Sequence, residues 1–257
     1  MRWRSLLIAV VLLAATTTQA SAANPVASDQ AHRLMTSINQ ARTARGLVPL
    51  RVDHRLWAIA GERAGRLAAG GTLSHAVAGS LQEDLAARGV PWYGYGEDIG
   101  FASGLPGVAT SAVLRMWALS AEHWPLLMSA NYNYLGVGVA YRPSTGKTFA
   151  SVVLAESPDR TGARAAVSGA VVAGTDILWS WCGWDPPLQR HTAGLGDFTV
   201  QLRTDRGAWV TIARDVTVTA QSSPDRDGGH WYGLRVRARD GAGNVGPWSR
   251  ERRVWLP

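Results

Sequence analysis

Apolar positions recur at helical spacing through the first half of the chain and at strand spacing through the second. In "SDQAHRLMTSINQARTARGL", Leu34, Met35, Ile38 and Ala41 form one stripe, which predicts a helix with Ser28 or Asp29 as its cap and an end near Gly46. In "HRLWAIAGERAGRLAAGG", Leu56, Ile59, Ala60, Ala64 and Leu67 form a second stripe that stops at Gly70-Gly71. "SLQEDLAARGV" predicts a short amphipathic helix with Leu81 and Leu85 inward, and "PWYGYGEDIG" an aromatic, glycine-rich loop. A further helix over "GVATSAVLRMWALSAEHWPLLM" places Val113, Met116, Trp117 and Leu119 on its apolar side.

From Tyr134 the period changes to two. "YLGVGVAYRPSTGKTFASVVLAE" contains two β-rich runs joined by a turn with Pro143, Ser144 and Gly146, a hairpin signal. Residues 157–171 are polar and small without periodicity, and are predicted to be a linker whose looseness leaves two separable domains. Beyond them "DILWSW", "DFTVQLR", "WVTIA", "VTVTA" and "YGLRVRARD" alternate, separated by Gly, Asp, Pro and Ser clusters, as in a β-sandwich. In the last of these Tyr232, Leu234, Val236 and Ala238 point inward and Arg235, Arg237 and Arg239 share the outer face, an arrangement expected of a solvated surface.

The chain opens with basic residues, an apolar run from Leu6 to Ala15 and the triplet Ala20-Ser21-Ala22, the pattern of a signal peptide over residues 1–22. The apolar run is shorter than the ~20 residues a spanning helix needs, so export with cleavage is expected, leaving an extracellular chain with no transmembrane segment. The formal charge is +7 and comes almost wholly from arginine, Lys147 being the only lysine. That balance is compatible with acidic envelope polymers or anionic headgroups as partners. Cys182 is the sole cysteine, which excludes an intramolecular disulfide, and its apolar surroundings predict a buried strand position.

Five motifs of the first half, "INQARTARGLVPLRVDHRLWAIAGERAGRLA", "LSH", "GEDIG", "WALSAEHWPLLM" and "YNYLGVGVA", occur in one order across residues 30–156. In this they resemble the CAP superfamily of cysteine-rich secretory, antigen five and pathogenesis-related proteins, in its bacterial secreted branch. The chain departs from the family at Asp98, where Asn is usual, and at Trp124, where Arg is usual in the bacterial branch. The resemblance implies an α-β-α sandwich over residues 28–156 with a cleft lined by His75, Glu97 and His123, Ser120 standing where animal members carry a second glutamate. It also implies binding of a small or lipid-like ligand or a metal ion in preference to one shared catalytic activity. Residues 172–257 resemble bacterial fibronectin type III domains through "DILWSWCGWD", "DFTVQLRTDRGAW" and "YGLRVRARDGAGNVGPWS", with Tyr232 in place to make a corner hydrogen bond.

Two neutral imidazoles, His75 and His123, can ligate a divalent ion such as zinc, and Glu97 can orient a ligand or take a proton from bound water. With no third protein ligand, such a site is expected to be weak. Ser120, His123 and Glu97 can also be drawn as a hydrolytic relay, but no "GxSxG" elbow or oxyanion hole accompanies them. The sequence therefore predicts an α/β fold, an α-β-α sandwich followed by an all-β fibronectin type III-like sandwich. The expected function is noncatalytic binding outside the cell, with a metal-assisted hydrolase as the alternative. The C-terminal domain is expected to act as a spacer or to meet an envelope polymer, and no feature points to nucleic acid.

Overall fold

The computed structural model describes residues 25–257, and the expected signal peptide lies outside the described residues. The first module comprises helices α1 (Pro25–Thr43), α2 (His54–Gly70), α3 (His75–Ala78), α4 (Leu81–Ala87), α5 (Pro106–Ala118) and α6 (His123–Leu127) around a four-stranded sheet. Its strands are β1 (Arg51–Val52), β2 (Gly94–Ser103), β3 (Tyr134–Arg142) and β4 (Lys147–Glu156), in the order β1-β3-β4-β2. All pairs are antiparallel except β1 with β3, so β2 is an edge strand.

The local chemistry of α2 follows from its ends. Asp53 accepts from the amides of Arg55 and Leu56 at 2.8 and 3.2 Å, and Gly71 closes the helix at φ 70° with its amide on the Leu67 carbonyl. Leu56, Ile59, Ala60, Ala64 and Leu67 are all buried, as their spacing predicts. The helix lies against the sheet at Gly136 and Gly138, where any Cβ would overlap the backbone of Leu56 and Ala60.

Strand alternation divides the core into two layers. Leu135, Val137, Ala150, Val152 and Leu154 pack with α1, α5 and α6, whereas Tyr134, Val153 and Ala155 pack with α2 and α4. On β2 the even positions belong to the first layer: a Cβ on Gly100 would meet Val113 and Trp117, and one on Gly96 would meet Tyr132 and Leu126. The odd positions Tyr95 and Ile99 pack with the second layer.

Several expectations need correction. "GYGEDIGFAS" is a ten-residue strand, β2, and not a loop, because its glycines sit where the facing helices press closest. Described helix α1 already includes Ser28 and Asp29, so neither is its cap. The helix expected through residue 128 breaks after Ala118 and resumes at His123, and Met116 and Leu119 are exposed while Val113 and Trp117 are buried.

The second module is a two-sheet sandwich. One sheet holds β5 (Arg164–Ala173), β6 (Asp176–Trp184) and β9 (Ala220–Ser223) in the order β5-β6-β9. The other holds β7 (Leu195–Thr204), β8 (Val210–Val216), β10 (His230–Asp240) and β11 (Arg252–Leu256) in the order β11-β10-β7-β8. Trp179, Trp181, Phe198, Val200, Leu234 and Val236 fill the space between them. The Tyr232 hydroxyl donates to the Asp227 carbonyl at 3.0 Å, the expected corner bond. Cys182 is exposed rather than buried, because alternation along β6 turns Trp179 and Trp181 inward and the thiol out. "VTVTA" is not one strand but the link from β8 to β9.

Residues 157–171 are not a free linker. Arg164–Ala173 forms β5, paired along β6, and only residues 157–163 run between the modules. Within that short segment Ser157, Asp159 and Ala163 are buried. The Asp159 carboxylate accepts from Thr161 and from the Ala193 amide, and Arg160 donates to Asp53 at 2.5 Å. The β6–β7 loop inserts Leu188 among Leu56, Ile59 and Tyr134, while its Gln189 accepts from the Val48 amide at 2.8 Å. The Pro186 carbonyl accepts from Arg51 at 2.9 Å. The modules are therefore docked through a shared apolar and hydrogen-bonded seam.

Candidate functional site

The four residues expected to line one cleft fall into two groups on either side of β2. Glu97, an odd position of the strand, faces α2 with its side chain nearly fully buried. There it accepts from Arg63 Nε at 2.5 Å and Nη2 at 2.7 Å, from Ser151 Oγ at 2.8 Å, and approaches His75 Nδ1 at 2.7 Å. Burial works to raise its pKa, but hydrogen bonds from Arg63, His75 and Ser151 outweigh it and hold the carboxyl below the usual range.

Arg63 is the residue the sequence reading passed over. It lies on the same inward stripe of α2 as Ile59 and Leu67, is almost wholly buried, and also donates to Asp84 at 2.8 Å and to the Gly79 carbonyl at 3.0 Å. A charged residue on an apolar stripe must find partners, and that rule applied to Arg63 points to an inward carboxylate. His75 opens α3, whose cap is Ser74, accepting from the Ala76 amide at 3.2 Å. Its ring is exposed, with one nitrogen committed to Glu97.

Ser120 and His123 belong to the other layer. Ser120 occupies the turn between α5 and α6, and its Oγ accepts from the amides of Glu122 and His123 at 3.2 and 3.3 Å. Those bonds use both lone pairs, so the hydroxyl proton goes to His123 Nδ1, 2.7 Å away. That leaves the imidazole proton on Nε2. The ring stacks on Trp117, whose indole N–H donates to the Ile99 carbonyl at 3.2 Å. Asp98, the even neighbour of Glu97, is buried on this side, its Oδ2 has no hydrogen-bond partner, and burial followed by the Glu97 charge pushes its pKa up to about 8.

The hydrogen bonds form two separate pairs, Glu97 with His75 and Ser120 with His123. Both oxygens of Glu97 are occupied by donors, one of them a guanidinium; His75 is bonded to Glu97, whereas His123 is bonded to Ser120 and stacks on Trp117. The three do not gather within ligand distance of one point. Among the described residues the group that does is Asp159, Asp185 and Asp240 at the module seam, where each carboxylate already accepts backbone amides of its own or an adjoining loop. Glu97 orients His75 and not His123, so Ser120, His123 and Glu97 form no relay.

The surface beside Ser120 has a different character. Leu105, Val108, Met116 and Leu119 are 63, 69, 49 and 91% exposed and recur on one face of α5 and its caps, ending next to the Ser120–His123 pair. Two cavities border α1. One of about 510 Å³ is lined by Met35, Thr36, Asn39, Gln40, Thr43 and Ala44, and one of about 350 Å³ lies between α1 and α5 around Arg33 and Thr110. None of His75, Glu97, Ser120 or His123 lines either.

Residues 35–154 match the family model described as the cysteine-rich secretory protein family, CAP. No curated protein matches the chain. Among solved structures the chain is similar to an extracellular protein containing an SCP domain from Bacillus anthracis, at 22% identity and TM-score 0.43 over 50% of this chain and 40% of that one. It is similar to an outer surface protein of Borrelia burgdorferi at 18% identity and TM-score 0.44, over 50% of this chain and 93% of that one. A fibronectin-like (Fn3-like) protein from Clostridium thermocellum matches at 21% identity and TM-score 0.25, over 38% of this chain and 90% of that one. The match spans less than half the length of the Bacillus protein.

Proposed function

Residues 35–154 form a CAP domain of the cysteine-rich secretory protein family, and from that premise we propose that the protein acts outside the cytoplasm as a noncatalytic binder of a lipid-like ligand. The observation that carries the reading is the exposed apolar face of Leu105, Val108, Met116 and Leu119 ending at Ser120 and His123. At 1.5 Å per residue that face extends about 20 Å, long enough to lie along an extended acyl chain. Covering it removes apolar surface from water at roughly 25 cal/mol per Å², and exposed apolar patches of this kind mark binding surfaces. His123 Nε2–H, next to the end of the face, supplies a donor for a polar headgroup.

Export is supported by the signal-peptide pattern of residues 1–22, and no described helix is long and apolar enough to cross a membrane. The noncatalytic character is supported by the chemistry around Ser120. Its lone pairs are engaged by two amides, no carboxylate orients His123 among the described residues, and Glu97 is held as an ion by Arg63. The test is native mass spectrometry of the secreted protein together with titration by a fluorescent long-chain fatty acid. A co-purified lipid and saturable binding weakened at least ~10-fold by Leu119→Asp with Met116→Asp support the reading. Turnover of ester or glycan substrates that Ser120→Ala abolishes sinks it.

A further inference from the structure

The outer face of the sheet β11-β10-β7-β8 carries a stack of alternating arginine and tryptophan side chains. Arg203 Cζ lies 4.6 Å from the Trp209 ring centre and Arg235 Cζ 4.3 Å from the same ring. Arg235 lies also 4.5 Å from Trp248, and Arg237 4.7 Å from Trp248. Arg235 and Arg237 stand two apart on β10, so their side chains leave the same face about 7 Å apart along the strand. The tryptophans come from the turns before β8 and β11 and clamp guanidiniums that would otherwise be mobile.

The charges of this stack are not balanced. Arg203 pairs with Glu251, and Arg239 with Asp197 and Asp215. Between them Arg235 donates only to the Gln201 side-chain carbonyl, and among the described residues neither Arg235 nor Arg237 has a carboxylate within 4.0 Å. The Arg237 Nε has no hydrogen-bond partner. Burial, then Arg203 and Arg237, works against the charged form of Arg235 and lowers its pKa, a cost that an incoming anion would offset. On the same strand face the exposed rings of Trp231 and Trp255 lie 5.6 Å apart.

We propose that this face binds a linear acidic polysaccharide, with Arg235 and Arg237 forking onto its carboxylates and Trp231 and Trp255 packing against its sugar rings. Guanidinium forks match carboxylates bidentately. From Trp231 to Arg237 on β10 the strip spans roughly 20 Å, which suits a polymer rather than a single small anion. Trp209 and Trp248 each already stack with two guanidiniums, which compete with the base stacking on which single-stranded nucleic acid binding relies.

Calorimetric titration of the full chain with polygalacturonate tests the proposal, with neutral dextran, single-stranded DNA and anionic phospholipid vesicles as comparisons. The wild type is expected to bind polygalacturonate and not dextran. Arg235→Gln with Arg237→Gln should weaken this on the order of 100-fold, the worth of two charge-assisted hydrogen bonds. Arg235→Lys with Arg237→Lys keeps the charge, and should lose about 10-fold because lysine neither forks nor stacks as arginine does. Arg33→Gln with Arg115→Gln removes the same charge from the other module and should leave affinity unchanged. Equal loss in the two glutamine doubles would overturn the proposal, as would no binding of polygalacturonate, or tighter binding of DNA or vesicles than of polygalacturonate. Should the first double fail to fold, the lysine double decides: affinity equal to wild type overturns the forked geometry.

Discussion

Replacing Asp98 by Asn should make the protein more stable at neutral pH and less stable in acid. The side chain is 3% exposed in the layer of α5 and α6, one oxygen lacks any partner, and its pKa is pushed up to about 8. An unfolded aspartate titrates near ~3.9. Below that value both states hold the proton and Asp98 contributes no pH dependence. Between ~4 and about 8 the unfolded chain releases the proton and the folded one keeps it, so stability falls as pH rises, by ~1.4 kcal/mol per unit. At pH 7 the accumulated loss is on the order of 4 kcal/mol. The amide of Asn has no proton to retain, but its NH₂ must be buried at a cost of ~1–3 kcal/mol. The variant should therefore gain ~1–3 kcal/mol at pH 7 and lose a similar amount at pH 4, with the two stability curves crossing between. Urea unfolding at pH 4, 5.5 and 7, followed by tryptophan fluorescence and far-ultraviolet circular dichroism, measures this directly. Parallel curves, offset by the same amount at every pH, would mean that Asp98 does not retain its proton in the folded state.

Arg63→Met leaves Glu97 buried without its guanidinium and should cost ~3–5 kcal/mol; Glu97→Gln, which leaves Arg63 bonded to Asp84 and the Gly79 carbonyl, should cost less, and thermal denaturation ranks the pair. Because Glu97 is held below its usual pKa, its contribution is fully present above the unfolded value near ~4.3 and is lost as pH falls through the lower folded value, a loss the Glu97→Gln variant should not show in acid melts. Gly136→Ala forces a methyl into the backbone of α2 at Leu56 and should prevent folding, seen as loss of soluble protein or of a cooperative melt. Limited proteolysis should spare residues 157–163 in the wild type and cut there in Leu188→Asp, which takes away the apolar anchor of the seam; wild-type cleavage there as fast as in the variant would contradict a docked junction.

The helical stripes and the alternating strands of both modules were readable in the sequence because each has one buried face. Alternation placed Tyr232, Leu234, Val236 and Ala238 inward, as the structure has them. Strand β2 was not legible, since Gly94, Gly96 and Gly100 resemble loop punctuation; at Gly96 and Gly100 the close approach of Tyr132, Val113 and Trp117 from elsewhere in the chain leaves no room for a Cβ. Strand β5 was missed for a related reason: its Ala, Ser, Gly and Val side chains carry little apolar pattern, and its partner β6 supplies the large inward tryptophans. The sequence offered His75, Glu97, Ser120 and His123 as one group, whereas the structure pairs Glu97 with His75 and Ser120 with His123. Adjacent Glu97 and Asp98 must face opposite layers of a strand, so reading them as a loop hid the separation of His75 from His123. The arginine ladder was visible on β10, yet the tryptophans that clamp it come from distant turns and no local spacing announces them.

We propose that the CAP domain holds a lipid-like ligand on the α5 face without turning it over. Native mass spectrometry of protein collected from the medium of an expressing cell, wild type beside the Met116→Asp and Leu119→Asp double variant, tests it most directly. A mass in excess of the wild-type chain is expected, one that solvent extraction recovers as intact lipid and that the double variant lacks. Bare wild-type chain, or an identical adduct on both proteins, would contradict it.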